Sequence, residues 1–274
     1  MPEGPELAKS RDHLRKYVGH TIVTATISSG RYTADSLVGY KEWTAGRTPL
    51  NDTLLEVDVK GKFMWWGLKD DWYMWCTYGM SGQWMRELTK HCAFFMQVRS
   101  PTNSNSWLAF NDQRHFGTLK FVKGREALDK KLASLGPDML NAPPDEQTFR
   151  TAMRRRNNKT LAEALMDQSC ISGVGNYIKA EALYLAELSP HREVFSLSGT
   201  DMEHLRKQII NVMRASYNND GATIRSYLNV DGTKGGMKSR FLVYDNQTDP
   251  LGNPVVKEET KDGRTTHWVP AIQR

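Results

Sequence analysis

The chain begins Met-Pro-Glu-Gly-Pro-Glu, with two prolines and two glutamates inside its first six residues. Pro5 and Glu6 suit a helix start. Proline tolerates the first turn, where its missing N–H costs nothing, and glutamate complements the positive end of the helix dipole. Pro2 and Glu3 are left over. A small second residue lets the initiator methionine be removed, which exposes Pro2 as a secondary amine whose pKa lies nearer neutrality than that of lysine. Such an amine attacks an aldehyde-level carbon to form a cationic iminium, an electron sink, and Glu3 beside it can carry protons. On the dipeptide alone, the plain helix start and the covalent catalyst both stand.

Four further groups carry candidate chemistry. In SGVGNYIKAEAL, glycines flank Val174 ahead of Asn176 and an amphipathic helix, with LAEALMDQ before it. A helix–turn–helix of this kind offers backbone N–H groups and the Asn176 amide to a phosphate, or serves as an ordinary αα-hairpin. GMSG places Met80 at a strand end, and QRHFG places Arg114 and Phe116 beside a glycine. These side chains either pack a core or wedge between base pairs and fill the hole of an extruded base. Lys62, in DVKGKFMWW, reads as lying on the same strand face as Lys60. Arg264 follows the Asp-Gly of a hairpin turn. Alone, each reads as a solvated cation.

The elements that must position these residues change character along the chain. Glu6 to Val18 has the apolar spacing of a helix with one buried stripe. From Thr21 to Val122, six short runs rich in β-branched and aromatic residues (TIVTATI, LLEVDVKGKFMWWGL, WYMWCTYGMSGQW, FFMQV, SWLAFN and TLKFV) are bounded by turn formers, which predicts a β-sandwich or barrel. Lys123 to Pro144 reads as a linker. Beyond it, helical periods cover 149–156, 160–166, 175–188 and 200–218. The stretch 218–240 is Gly-rich and loop-like, and NPVVKEETKDGRTTHWVP reads as a β-hairpin about a Lys-Asp-Gly turn.

The expected fold is therefore α+β: an N-terminal β-sandwich domain carrying an N-terminal helix over 1–130, a linker over 131–148, and a helical domain ending in a hairpin over 149–274. The chain has 274 residues and a net charge of +6. The excess is concentrated in residues 150–240, with 14 Lys and Arg against 9 Asp and Glu, which suits a polyanionic partner. Cys76, Cys92 and Cys170 form no C-x-x-C pair, which speaks against a disulfide scaffold or a cysteine zinc site and for three buried thiols. No apolar run is long enough to span a bilayer, and no secretory signal is visible. An intracellular, non-secreted location is expected, with nucleus, cytoplasm and viral factory left open.

PEGPE, KGKF, GMSG, R-H-F-G, MDQ…SGVGNY and GRTTHW occur in an order and spacing that resemble the Fpg/Nei family of DNA glycosylases along essentially the whole length. That resemblance implies a bifunctional DNA glycosylase and abasic-site (AP) lyase of base excision repair. Such an enzyme removes oxidised bases through a Schiff base, followed by β,δ-elimination, and needs no cofactor. It implies Pro2 as the nucleophile at the sugar C1′, Glu3 as acid/base, and Lys62 as the contact to the sugar–phosphate at the lesion. Met80, Arg114 and Phe116 match the void-filling wedge. Asn176 lies in the helix–two-turn–helix (H2TH) phosphate grip, Arg264 matches the finger arginine, and Glu6 is a lesion-pocket candidate. The implied partner is damaged double-stranded DNA, with single-stranded and bubble DNA left open, and the implied state is a monomer.

Most members end in a four-cysteine zinc finger. Here the matching positions are Val255, Glu258, Val269 and Ile272, a set that cannot hold zinc. The ending resembles the zincless finger of vertebrate and giant-virus Nei-like enzymes, with WVPAIQ closest to the viral ones. His115 stands where many members have a second arginine. GATIRSYLNVDG instead resembles the lesion-capping loop of the 8-oxoguanine-cleaving Fpg branch, so features of two branches meet in one chain. A non-catalytic damage-binding protein and an N-terminal-proline tautomerase are the competing classes. The intact Pro-Glu weighs against the first. The size of the chain and its basic segment weigh against the second.

Overall fold

The computed structural model describes residues 2–30, 32–33, 35–47, 49–223 and 227–274. The chain divides into two compact units: Met1–Pro2, Glu6–Ala133 and Asp220–Gly235 form the first, and Glu3–Pro5, Ser134–Asn219 and Gly236–Arg274 the second.

Regular structure opens with α1 (Gly4–Leu14), whose Leu7, Ala8 and Leu14 are buried. The helix tightens into a 3-10 turn at Arg15–Tyr17 before reaching Val18. Nine strands follow: β1 (Thr21–Ile27), β2 (Asp52–Thr53), β3 (Glu56–Lys60), β4 (Phe63–Gly67), β5 (Trp72–Thr77), β6 (Gly82–Met85), β7 (Cys92–Arg99), β8 (Asn105–Asp112) and β9 (Thr118–Lys123). A short helix, α2 (Tyr40–Thr44), lies between β1 and β2. The strands make two antiparallel sheets, ordered β2-β1-β7-β8-β6 and β3-β4-β5-β9.

Strand side chains alternate between faces, so each sheet turns one apolar face inward. Val57, Val59, Met64, Trp66, Met74 and Phe121 of the smaller sheet are buried, as are Trp84, Phe94, Met96, Leu108 and Phe110 of the larger. Trp66 meets Trp84 across this interior with ring centroids 4.8 Å apart. This is the expected β-sandwich.

Two of the six apolar runs are each two strands. LLEVDVKGKFMWWGL folds back at Gly61, which has φ +58°, so that Lys60 pairs with Phe63. Lys62 therefore sits in a two-residue turn and does not share a strand face with Lys60. WYMWCTYGMSGQW breaks at Gly79 and sends β5 and β6 to different sheets. The stretch read as linker starts with a helix, α3 (Arg125–Ala133). Leu128 is its one fully buried side chain, too little to leave a periodic signature.

Residues 220–235 belong to the first unit, although the sequence reading groups them with the helical half. Tyr227 OH donates to the Glu6 carbonyl at 3.0 Å and shares a hydrogen bond with Ser10 Oγ, while Leu228 N donates to Gln83 Oε1 at 2.7 Å. These polar anchors leave no sequence periodicity. Ile224, Arg225 and Ser226 of the loop-like stretch lie outside the described residues.

In the second unit, α4 (Glu146–Arg154), α5 (Leu161–Met166), α6 (Asn176–Leu185) and α7 (Gly199–Asn218) enclose Phe149, Met153, Leu165, Ile178, Leu205 and Ile209. Their starts are set by local chemistry. Asp145 caps α4, and reciprocal capping boxes open α5 (Thr160 with Glu163) and α7 (Ser198 with Asp201). The chain ends in the expected hairpin, β10 (Val256–Glu259) with β11 (Thr265–Trp268), closed by Gly263 N donating to Thr260 O.

Candidate active site and nucleic-acid interface

In the first unit, Met80, Arg114 and Phe116 come together on two abutting turns. Gly79 has φ +56°, and a Cβ there would lie 2.4 Å from the Phe116 carbonyl carbon, so the close approach of the turns requires glycine. Arg114 N donates to Ser81 Oγ at 2.9 Å, and the guanidinium lies 5.3 Å from the Phe116 ring centroid, a cation–π contact. Phe116 is 54% exposed, Arg114 is exposed and Met80 is half-buried. An exposed phenylalanine with an arginine over its face is available to a partner, unlike a core residue.

Lys62, half-buried, occupies the separate β3–β4 turn. Its neighbour Lys60 donates to the Leu132 carbonyl at 2.8 Å. Pro2 is buried. Glu6 is fully buried and its Oε1 accepts from Ala222 N at 2.7 Å, so it anchors the 220–235 segment.

In the second unit, Glu3, Asn176 and Arg264 are gathered around the first turn of α6. The Glu3 carboxylate is 1% exposed and accepts from Tyr177 N at 3.0 Å and Ile178 N at 3.4 Å. Negative charge is favoured at this end of a helix. Gly175 makes the placement possible, because a Cβ there would sit 2.2 Å from the Glu3 carboxyl carbon. Gly4 N donates to Gly173 O at 2.9 Å, which fixes the chain next to Glu3.

Asn176 opens α6 and donates from Nδ2 to the Thr265 carbonyl at 2.8 Å, so one of its two amide hydrogens is committed. Arg264, next to Thr265, is exposed. Three of the four positions matching zinc ligands in the resemblance are apolar. Val269 is buried in a cluster with Ala180, Tyr184 and Val243, and Val255 and Ile272 pack against it. Glu258 accepts from Trp268 Nε1 and pairs with His191 at 2.7 Å. This donor set does not fit a metal.

Three family models match in sequence order: the formamidopyrimidine-DNA glycosylase N-terminal domain over residues 1–119, its H2TH domain over 135–227 and its C-terminal domain over 237–274. The chain belongs to the formamidopyrimidine-DNA glycosylase (Fpg/Nei) family. The formamidopyrimidine-DNA glycosylase of Ligilactobacillus salivarius is 28% identical over 286 residues, covering 100% of this chain and 99% of that protein. The Halalkalibacterium halodurans enzyme of the same name is 28% identical over 285 residues, covering both chains in full. Among solved structures, a complex between a Lactococcus lactis Fpg mutant and Fapy-dG-containing DNA superposes with a TM-score of 0.85 at 25% identity over 100% of both chains. A complex of the same enzyme with an inhibitor and THF-DNA gives the same values.

Within this family frame, sequence reasoning missed the residues that hold the candidates in place. Asp112, 2% exposed, accepts from Ser81 Oγ and Gly117 N, each at 2.6 Å, and so ties the Met80 turn to the Phe116 turn. Glu181, 2% exposed, accepts from the backbone N–H groups of Leu242, Val243 and Tyr244, and burial raises its pKa against those three donors. Lys179 is buried and paired with Asp262. A signal was present: a lysine among the mostly apolar residues of this helix must find a counter-charge or a surface. No local pattern names Asp262 as that partner.

Proposed function

We propose that the chain is a bifunctional DNA glycosylase and AP lyase of base excision repair, removing oxidised pyrimidines, formamidopyrimidines and further-oxidised guanine from duplex DNA. The observation that carries this reading is Glu3, covalently next to Pro2, seated on the α6 N-terminus in the same unit as Asn176 and Arg264. A carboxylate buried at the second residue after the initiator has no evident use in a helix start alone.

With Met1 removed, the Pro2 nitrogen attacks C1′ of the damaged nucleotide, and the C1′–base bond breaks as the base leaves with a proton. Glu3 carries protons as the sugar ring opens and the iminium forms. Loss of the C2′ proton into that electron sink expels the 3′ phosphate (β-elimination), and a second elimination releases the 5′ phosphate. Lys62 contacts the sugar–phosphate, Met80, Arg114 and Phe116 fill the vacated stack, and Asn176 and Arg264 hold phosphates. Glu6 belongs to the lesion pocket. The hairpin, with valine, glutamate, valine and isoleucine where zinc ligands would stand, works without zinc, as in the Nei-like branch.

A second reading makes the enzyme Fpg-like and directed at 8-oxoguanine. It is favoured by the hydrogen bond from Ala222 N, near the start of the Fpg-like GATIRSYLNVDG stretch, to the Glu6 carboxylate. Borohydride trapping on duplexes carrying 8-oxoguanine, a formamidopyrimidine, an oxidised pyrimidine or an abasic site, in the presence of EDTA, tests both. A covalent adduct is expected, with the ranking of lesions deciding between the branches. No adduct on any substrate overturns the glycosylase/lyase reading. Full-efficiency trapping by Pro2→Gly shows that the proline ring is dispensable and leaves the residue-2 amine, or another amine, as the nucleophile.

A further inference from the structure

Lys179 carries a charge that the proposed chemistry does not use. It lies one turn after Asn176 on α6, where residues 177–184 are all buried, and its own side chain is fully inaccessible. A buried ammonium group is costly unless paired. Its Nζ donates to Asp262 Oδ2 at 2.6 Å, and the Asp262 side chain is 3% exposed.

Asp262 lies within the β10–β11 turn, two residues before Arg264. Its second oxygen accepts from Thr260 Oγ1 at 2.5 Å, and Thr260 in turn reaches Thr266 Oγ1 at 2.7 Å and the Arg264 carbonyl at 3.1 Å. On the other side of Arg264, Asn176 Nδ2 holds the Thr265 carbonyl at 2.8 Å. Two side chains one helical turn apart on α6 therefore grip the hairpin turn on both flanks of an exposed arginine. The charge of Lys179 is also felt by Glu3 and Arg264, while burial lowers its pKa.

The apolar cluster of Val255, Val269 and Ile272 lies at the opposite end of the hairpin, where β10 begins and β11 ends. It fixes the open end of the strands and leaves the turn to the polar contacts.

We propose that Lys179 is a positioning residue: its buried pair with Asp262 locks the hairpin turn onto α6, so that Arg264 meets the DNA backbone in register with Asn176. This rests on the DNA-binding role proposed for Arg264. A purely structural pair differs in one respect. Replacing both charges by neutral groups of similar shape can restore stability, because the desolvation cost vanishes with the ion pair, but it cannot restore the placement of Arg264.

The test is a cycle on the full chain with a duplex carrying a tetrahydrofuran abasic-site analogue. Arg264→Ala alone should weaken affinity about tenfold, the scale of one charge-assisted contact. Lys179→Met with Asp262→Asn should weaken it by a similar factor while the melting temperature stays near the parent value. Adding Arg264→Ala to that pair should cost less than about twofold, since the arginine is already displaced. Parent-like affinity of the double variant, or an undiminished Arg264→Ala effect in both backgrounds, overturns the proposal; so does an Arg264→Ala variant that binds like the parent. Asp262→Asn alone, read in the same cycle, takes over if Lys179→Met prevents folding. Borohydride trapping by the parent is run alongside. Its failure counts against the glycosylase reading, while the affinity cycle still decides the role of Lys179.

Discussion

One buried carboxylate sets the pose of residues it never touches with its own charge. Asp112 receives Ser81 Oγ and Gly117 N on its two oxygens, and its carbonyl receives His115 N at 3.3 Å. Ser81 then receives Arg114 N. Arg114 and Phe116 are thus held by their backbones, leaving the side chains free to reach outward. Asp112→Ala removes both acceptors, so the buried Gly117 N–H loses its partner and the two turns lose their tie. Equilibrium unfolding of this variant should show a loss of about 1–3 kcal/mol, together with weaker binding of abasic duplex. Unchanged stability would mean the carboxylate is not the buttress. The cysteines offer no rival nucleophile: burial pushes Cys92 and Cys170 up to about 11 and raises Cys76 further, so all three thiols stay protonated at neutral pH.

At the scale of elements, α7 is tied by charge as well as by packing. Arg206 donates to both oxygens of Glu203 at 2.6 and 2.8 Å, and its third contact is the Pro144 carbonyl at 2.9 Å. The Arg206 hydrogen bonds hold the Glu203 carboxyl at about 2, against an ordinary value of 4.5. A folded-state pKa below the unfolded one means the stabilisation is complete above about pH 4.5 and fades as pH falls toward 2. Thermal melts between pH 6 and pH 2.5 should therefore fall more steeply for the parent than for Glu203→Gln. Identical slopes would show that this pair contributes nothing to acid lability. The neighbouring α6 uses its N-terminus differently: the N–H groups that elsewhere receive a capping side chain take the carboxylate of Glu3 from a distant part of the sequence.

At the scale of the molecule, the net charge of +6 and the surplus of lysine and arginine over 150–240 predict a polyelectrolyte component to DNA binding. Affinity for duplex should fall with rising salt. Asn176→Ala is expected to weaken binding across sequences, and Arg264→Ala to do so while lowering the log–log salt slope by about one, the contribution of one lost cationic phosphate contact. Titrations at several salt concentrations read both quantities at once, and a flat dependence in the parent would contradict the electrostatic account.

The sequence by itself determined what is local or periodic. The β-branched runs specified strands, the i, i+3/i+4 patterns specified α4 to α7, and the Lys-Asp-Gly turn marked the hairpin. The candidate residues were legible because chemistry restricts residue type: a secondary amine, a carboxylate beside it, an asparagine after glycines. Tertiary structure decided what rests on partners far apart in the chain. It split two apolar runs into separate strands, moved Lys62 into a turn, and supplied a helix at 125–133 that buries a single leucine. It also assigned 220–235 to the β-rich unit and gave Lys179 its counter-charge at Asp262. The placement of 220–235 and of Lys179 depends on long-range hydrogen bonds and on the need to neutralise buried charge, and the Lys62 turn on the positive φ of Gly61; none of these leaves a period in the sequence.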